Sequence, residues 1–245
     1  MKDIEQEYIE NLNSEDRDQL IDEILLQYIK QSTAKSRENN KISFFIGGGS
    51  ASGKSNFRKN LLRLDSDILL IDSDDLKEFI PEYSDLVKNV PGVAASIVHK
   101  ESSLMATKLL YKAIEEKISM IFDGTLKTPE KYKRFIEVLR EAGFKVSLVI
   151  VDVPVKIALE RNRVRFLEQK QEGKQSRLVP DQIVELSHAK IPEAFETLKG
   201  LVDEWMIIDT RGDEDKVIAN GSEGKEYIIH PKIYEEFLNK GSEMR

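Results

Sequence analysis

The segment Gly48-Gly49-Ser50-Ala51-Ser52-Gly53-Lys54-Ser55 constrains this chain more than any other stretch. An apolar run, Ile42 to Ile46, precedes it, and a helical pattern from Asn56 to Leu64 follows. Strand, glycine turn and helix in that order cradle phosphate groups. Glycines let the backbone turn so that successive N–H groups converge, and the helix start adds the positive end of its dipole. Lys54 is placed to bridge the outer phosphates, and the Ser55 hydroxyl to bind Mg²⁺. A coincidental match in a chain this long is roughly a 1% event at ordinary residue usage.

The rest of the chain supplies a sheet for this turn to sit on. Apolar runs at Asp67 to Ile71, Ser119 to Phe122, Lys145 to Val151 and Trp205 to Ile208 read as strands. Helical patterns lie between them: Glu101 to Lys117, a helix opened by Pro129 with an inner face of Tyr132, Phe135, Ile136 and Leu139, Val155 to Gln171, and Asp181 to Leu198 with a kink at Pro192. This alternation predicts an α/β fold with a mostly parallel five-stranded sheet and helices on both faces. A hairpin around Asn220-Gly221 and a closing helix from Pro231 to Leu238 are expected after the fifth strand. Residues 1–31 read as an amphipathic helix with Ser14 as an N-cap for its second half, and residues 32–40 as a polar linker. The expected organisation is a helical extension over 1–40 and a catalytic domain over 41–245.

Composition narrows the chemistry. The 245 residues include no cysteine, which removes disulfides, zinc–thiolate sites and thiol catalysis. The net charge of −7 argues against a polynucleotide substrate. No apolar run approaches the ~20 residues that span a bilayer. Met1 is followed by Lys2, Asp3 and Glu5 without an apolar core, so no signal peptide and no membrane role are expected. A need for ATP points to the cytoplasm.

In parallel sheets ligands bind beyond the carboxyl ends of the strands. That rule selects Gly47 to Ser55, Asp72 to Asp75, Asp123 to Thr125 and Asp152 to Pro154. Asp72, Asp123 and Asp152 each end a strand, and none is followed by the Glu of motor ATPases. No Asn/Thr-Lys-x-Asp guanine-reading motif is present. Asp74 can serve as the base for an attacking hydroxyl, or Asp72, Asp74 and Asp75 can cap the next short helix; the sequence leaves both open. Cations for the transferring group are offered by Arg161 and Arg165, one helical turn apart, and by Arg177, beyond a break at Gly173 on a segment that reads as a lid. Arg163 reads better as a solvated residue paired with a neighbour such as Glu160. His99, His188 and His230 are too scattered for a metal site and read as surface or internally satisfied residues.

From Ile42 to Asp209 these residues resemble the zeta-toxin family of P-loop kinases. The cradle is similar, as are the strand end Ile71-Asp72-Ser73-Asp74, the segment Asp123-Gly124-Thr125-Leu126-Lys127-Thr128, the stretch Val153-Pro154 through Arg165-Phe166, and Arg177-Leu178-Val179-Pro180. The residue before Gly124 is Asp123, one methylene shorter than the family's Glu. The resemblance implies an ATP- and Mg²⁺-dependent kinase acting on a hydroxyl of a nucleotide sugar, UDP-N-acetylglucosamine, with an antitoxin protein as partner. It implies Asp74 as base, Lys54, Arg165 and Arg177 on the phosphates, Asp123 and Thr125 near metal or substrate, and Glu101 among the substrate ligands. Ser55 and Asp123 would be the metal residues. The rivals are another small-molecule kinase, a nucleotide-dependent switch and a polynucleotide kinase.

Overall fold

The computed structural model describes Tyr8 and residues 15–90, 92–172 and 178–241. The expected Ser14 cap, Gly173 break and lid Arg177 lie outside the described residues. The chain forms two units, 1–37 with 66–120, and 38–65 with 121–245.

In the first unit, helix α1 (Glu15–Gln31) opens with Glu15, Asp16 and Asp18 in its first turn, where the helix dipole favours acids. It buries Arg17, Ile21 and Leu25 and packs on α5 (His99–Glu115), which buries Met105, Leu109 and Ala113. Strand β2 (Leu69–Asp72) runs beside the start of β3 (Met120–Asp123), and the Leu69 N–H donates to the Ser119 carbonyl at 2.8 Å. After β2 come a 3₁₀ turn (Asp75–Phe79) and the short helices α3 (Tyr83–Asn89) and α4 (Ala94–Ile97). Tyr28 of α1 donates to the Leu70 carbonyl at 3.0 Å and meets the Phe79 ring edge-on.

A charged cluster sits inside this unit. Arg17 donates to both carboxylate oxygens of Glu101, at 2.6 and 3.0 Å, and to both of Glu82, at 2.8 Å each. The Tyr8 hydroxyl donates to Glu101 as well. Arg17 is 7% exposed and Glu101 2%. Burial, reinforced by Glu101, pushes the Tyr8 phenol far up.

The second unit carries the larger sheet. Its strands are β1 (Ile42–Gly47), the end of β3, β4 (Lys145–Asp152), β5 (Glu204–Asp209), β6 (Lys216–Ser222) and β7 (Lys225–Ile228), in the order β3-β1-β4-β5-β6-β7. β1, β4 and β5 are parallel, in a register that sets Gly47 against Ile150 and Asp152 against Asp209. β4 is buried at every position after Lys145, as a strand covered on both faces must be. The helices are α2 (Lys54–Leu64), α6 (Pro129–Glu141), α7 (Val155–Gln171), α8 (Asp181–Ala189), α9 (Ile191–Leu198) and α10 (Pro231–Asn239). The inner face of α6 is Tyr132, Phe135, Ile136 and Leu139. None of the described helices is long and apolar enough to cross a membrane.

Three expectations change. The described strands number seven rather than five, because β6 and β7 continue the sheet antiparallel from β5. The hairpin turns at Glu223-Gly224, both at positive φ as a tight two-residue turn requires, and not at Asn220-Gly221. Gly221 lies inside β6, where an added Cβ would fall 2.5 Å from the Trp205 ring. The helix expected over Asp181 to Leu198 is two, α8 and α9, with Pro192 in the first turn of the second, since proline has no N–H to continue a helix.

The Arg17 cluster makes a testable demand on stability. Arg17→Leu should lower the unfolding free energy by about 3–5 kcal/mol, since Glu101 is left buried without a counter-charge. Thermal melts of Arg17→Leu and of the double variant Arg17→Leu/Glu101→Leu check it, the double variant recovering much of the loss.

Candidate phosphate-binding site

Within the second unit, β1 ends at Gly47 and the chain enters the glycine loop. A Cβ on Gly48 would lie 2.2 Å from the Val151 carbonyl oxygen, so the loop passes against β4 too closely for a side chain. Ala51 at φ +58° and Gly53 at φ +100° turn the backbone through the left-handed region. Alternation of that kind brings successive N–H groups together. Helix α2 then starts at Lys54 with no acid in its first turn, leaving its unpaired N-terminal donors without a charged partner from the helix itself.

A carbonyl facing a phosphate oxygen is repulsive, so a loop built for phosphate must engage its carbonyls elsewhere. Here four of them are engaged. Lys54 Nζ donates to the Gly48 and Gly49 carbonyls at 2.9 and 3.0 Å. The Ser50 carbonyl meets His188 Nε2 at 2.9 Å. The Ser52 carbonyl accepts from Thr210 Oγ1 at 2.7 Å. Ser52 Oγ, inside the same loop, is buried without a hydrogen-bond partner. Convergent donors, engaged carbonyls and one unused hydroxyl fit a polyphosphate.

The strand ends around the loop are acidic, and each acid has a cation. Asp123 Oδ2 accepts from Arg58 of α2 at 3.0 Å. Lys240 Nζ sits 2.6 Å from both carboxylate oxygens of Asp152 and 2.6 Å from the Val153 carbonyl. Burial pushes Asp152 up, as does Asp209 beside it, against the pull of Lys240. Arg211 holds Asp209 at 2.8 Å. Among the described residues no group of three or more His, Cys, Asp or Glu side chains can hold a metal ion. Ser55 is exposed in the first turn of α2. A single hydroxyl beside a phosphate site suits Mg²⁺, which takes few protein ligands and draws the rest from phosphates and water.

The structure brings Gly48, Gly49, Ser50, Ala51, Ser52, Gly53, Lys54 and Ser55 together with the Asp123–Thr125 segment. The Gly124 N–H donates to the Ile46 carbonyl at 3.0 Å, and Leu126 packs where a Gly47 side chain would be. Thr125 is exposed. Arg165 on α7 is exposed, with one long contact to Asn162 at 3.4 Å. Arg163 pairs with Asp181 at 2.6 Å, not with Glu160.

In the first unit, Asp74 stands just past β2. Asp72 Oδ1 accepts from its N–H at 2.8 Å, while the Asp74 carboxylate makes no cap bond to the 3₁₀ turn. Its side chain is 76% exposed and meets Lys77 Nζ at 2.5 Å. Asp72 thus does the turn-forming work. Glu101 is enclosed by Arg17 and Tyr8, so a substrate contact there requires that cluster to open.

Sequence reading missed Thr210, His188, Arg58 and Lys240. Thr210 had a signal, since it follows the fifth strand end. Arg58 lies on α2, one turn past the loop, while His188 on α8 and Lys240 just past α10 are distant in sequence, and no local pattern marks any of the three.

A glycine loop of this form between a parallel sheet and a helix start defines a P-loop α/β protein. The chain belongs to the Zeta toxin family, whose family model matches residues 27–223. Toxin PezT of Streptococcus pneumoniae is 21% identical over 141 residues, 56% of this chain and 56% of that protein. Toxin zeta of Enterococcus hirae is 22% identical over 162 residues, 64% of this chain and 55% of that protein. The chain thus spans little more than half the length of these curated relatives. A structure from the PezAT toxin–antitoxin system of Streptococcus pneumoniae superposes with a TM-score of 0.69 at 16% identity, over 92% of this chain and 96% of that one. The AvrRxo1-ORF1:ORF2 complex with ATP gives 0.67 at 18% identity, over 91% and 73%. These two likenesses establish a shared fold.

His188 predicts a pH dependence. It is fully buried, and burial pulls it down to about 4 from an ordinary value near 6.5. The unfolded chain therefore binds an extra proton between those values. The contribution to stability is complete above about pH 6.5 and is lost as pH falls toward 4, by on the order of 3 kcal/mol. Melting temperature followed from pH 7 to 4 should fall less steeply in His188→Gln than in the parent.

Proposed function

We propose that this chain is a kinase that transfers the γ-phosphoryl group of ATP·Mg²⁺ to a hydroxyl of a nucleotide sugar of the UDP-N-acetylglucosamine kind. The observation that carries this reading is the cradle, with Lys54 resting on the Gly48 and Gly49 carbonyls and the Ser50 and Ser52 carbonyls engaged by the surrounding fold. Membership of the Zeta toxin family and the ATP in the AvrRxo1 complex support a nucleotide there.

In the proposed reaction Lys54 directs its charge to the β- and γ-phosphates while staying on the Gly48 and Gly49 carbonyls, an ammonium having three N–H donors, and loop N–H groups hold the remaining oxygens. Ser55 would hold Mg²⁺ beside the phosphates, where the ion would supply positive charge against the transferring group; Asp123 would join it only by sharing its Arg58 pair. Arg165 on α7, exposed and lightly held, adds positive charge as the γ-phosphoryl leaves, and Arg177, further along the sequence, adds to it. Asp74 takes the proton of the attacking hydroxyl. The hydroxyl oxygen bonds to the γ-phosphorus, the bond to the β–γ bridging oxygen breaks, and ADP departs. Thr125, exposed beside the cradle, contacts the acceptor. A cytoplasmic setting and an antitoxin partner belong to the same reading, supported by PezAT being a toxin–antitoxin system.

Phosphorus NMR of the protein with ATP, Mg²⁺ and separate acceptors tests it. ADP and a new phosphomonoester should appear with UDP-N-acetylglucosamine, and not with chloramphenicol, nucleosides or an oligonucleotide. Product with one of the others alone, or acceptor-independent hydrolysis only, would move the chain to that class. Asp74→Asn should retain ATP affinity and lose turnover by about 100-fold or more; unaltered turnover removes Asp74 from the mechanism.

A further inference from the structure

Helix α8 holds the glycine loop by both backbone groups of one residue. The Ser50 N–H donates to Ser187 Oγ at 2.9 Å, and the Ser187 hydroxyl passes its own hydrogen to the Val184 carbonyl at 2.6 Å. The Ser50 carbonyl faces His188 Nε2 at 2.9 Å. A carbonyl only accepts, so Nε2 carries the hydrogen. Nδ1 is buried and has no partner, which is the lone-pair side of a neutral ring. The fit is close: a Cβ on Gly49 would fall 2.3 Å from the imidazole. Gly49 is thus glycine because the ring of His188 occupies its side-chain space.

A second tie reaches the loop from the end of β5. Arg161 of α7 donates to Thr210 Oγ1 at 2.9 Å and also to the Thr210 carbonyl. With its oxygen accepting from Arg161, the Thr210 hydroxyl directs its hydrogen to the Ser52 carbonyl, 2.7 Å away. Thr210 also lies beside Gly53, where an added Cβ would come within 3.3 Å. Arg161 is one helical turn from Arg165 on α7, so the anchored residue and the arginine proposed for the phosphates share one rigid helix.

We propose that His188 and Thr210 are positioning residues for the phosphate cradle: by engaging the Ser50 and Ser52 carbonyls they keep those oxygens from the phosphates and fix the path of the loop backbone. Ser187 completes the hold on Ser50. The inference rests on the nucleotide reading above and adds that loop geometry is imposed by helix α8 and strand end β5, beyond the glycine pattern itself. Removing a carbonyl's donor leaves that oxygen to seek another, and the anion site is the wrong place for it.

Calorimetric titration with ATP and Mg²⁺ tests the claim on five proteins: the parent, His188→Leu, His188→Gln, Thr210→Val and Thr210→Ser. Melting curves of each show that the protein titrated is folded. His188→Leu and Thr210→Val should each weaken ATP binding by about tenfold or more. His188→Gln, whose amide nitrogen can replace Nε2, and Thr210→Ser, which keeps the hydroxyl, should recover most of the loss. A purely structural role would lower the melting temperature and leave the affinity of folded protein unmoved. If His188→Leu does not fold, the Thr210 pair decides. Folded Leu and Val variants that bind as the parent does would overturn the clamp alone, as would a Gln variant no better than Leu. A parent protein that bound no ATP would overturn the nucleotide reading and this inference with it. Nitrogen NMR of histidine-labelled protein should show His188 protonated at Nε2; protonation at Nδ1 instead would also overturn the clamp.

Discussion

An anion-binding loop must solve a problem of backbone polarity. Every N–H it offers to phosphate comes with a carbonyl that phosphate repels, and those carbonyls need donors from elsewhere. In this chain the donors come from Lys54 within the loop, His188 on α8 and Thr210 after β5. Much of the second unit's arrangement follows. β5 must lie next to β4 for Thr210 to reach Ser52, α8 must cross the loop, and Gly49 must lack a side chain. The glycines permit the turn, and the surrounding fold chooses which turn is made.

The same region handles charge pair by pair. Asp123, Asp152 and Asp209 end β3, β4 and β5, with β1 between the first two, and Arg58, Lys240 and Arg211 pair with them in turn. Left unpaired, three carboxylates at one sheet edge would repel a polyphosphate and raise one another's proton affinity. Paired, they become fixed dipoles. Asp74 differs from all three. It is exposed, and Asp72 has taken over the backbone contact that a turn-forming aspartate would make.

Local pattern made the frame legible. The glycine loop, the parallel strands and the inner face of α6 all follow from residue spacing, because each is a local consequence of backbone geometry or periodic burial. Legibility failed where a contact spans distant sequence. His188 reads as one more scattered histidine, since nothing near it indicates that its ring fills the space beside Gly49. Arg17 is marked by no sequence pattern, yet it is buried on Glu101, 84 positions away. Asn220-Gly221 looks like a turn until Trp205 is seen to need the space above Gly221. The hairpin after the fifth strand is expected, but not that it continues the sheet from β5, because an antiparallel pair carries no crossover helix to announce its neighbour.

The pairing of Lys240 with Asp152 bears on how this chain leaves the ribosome. The two are 88 residues apart. At ~5–20 residues per second, translation delivers the lysine on the order of ten seconds after the aspartate. Until then β4 ends in a carboxylate with no ammonium to accept it, and the middle of the sheet cannot bury that group in its charged form. The nascent polypeptide therefore completes the surroundings of the carboxyl end of β4 only once Lys240, just past α10, has been made.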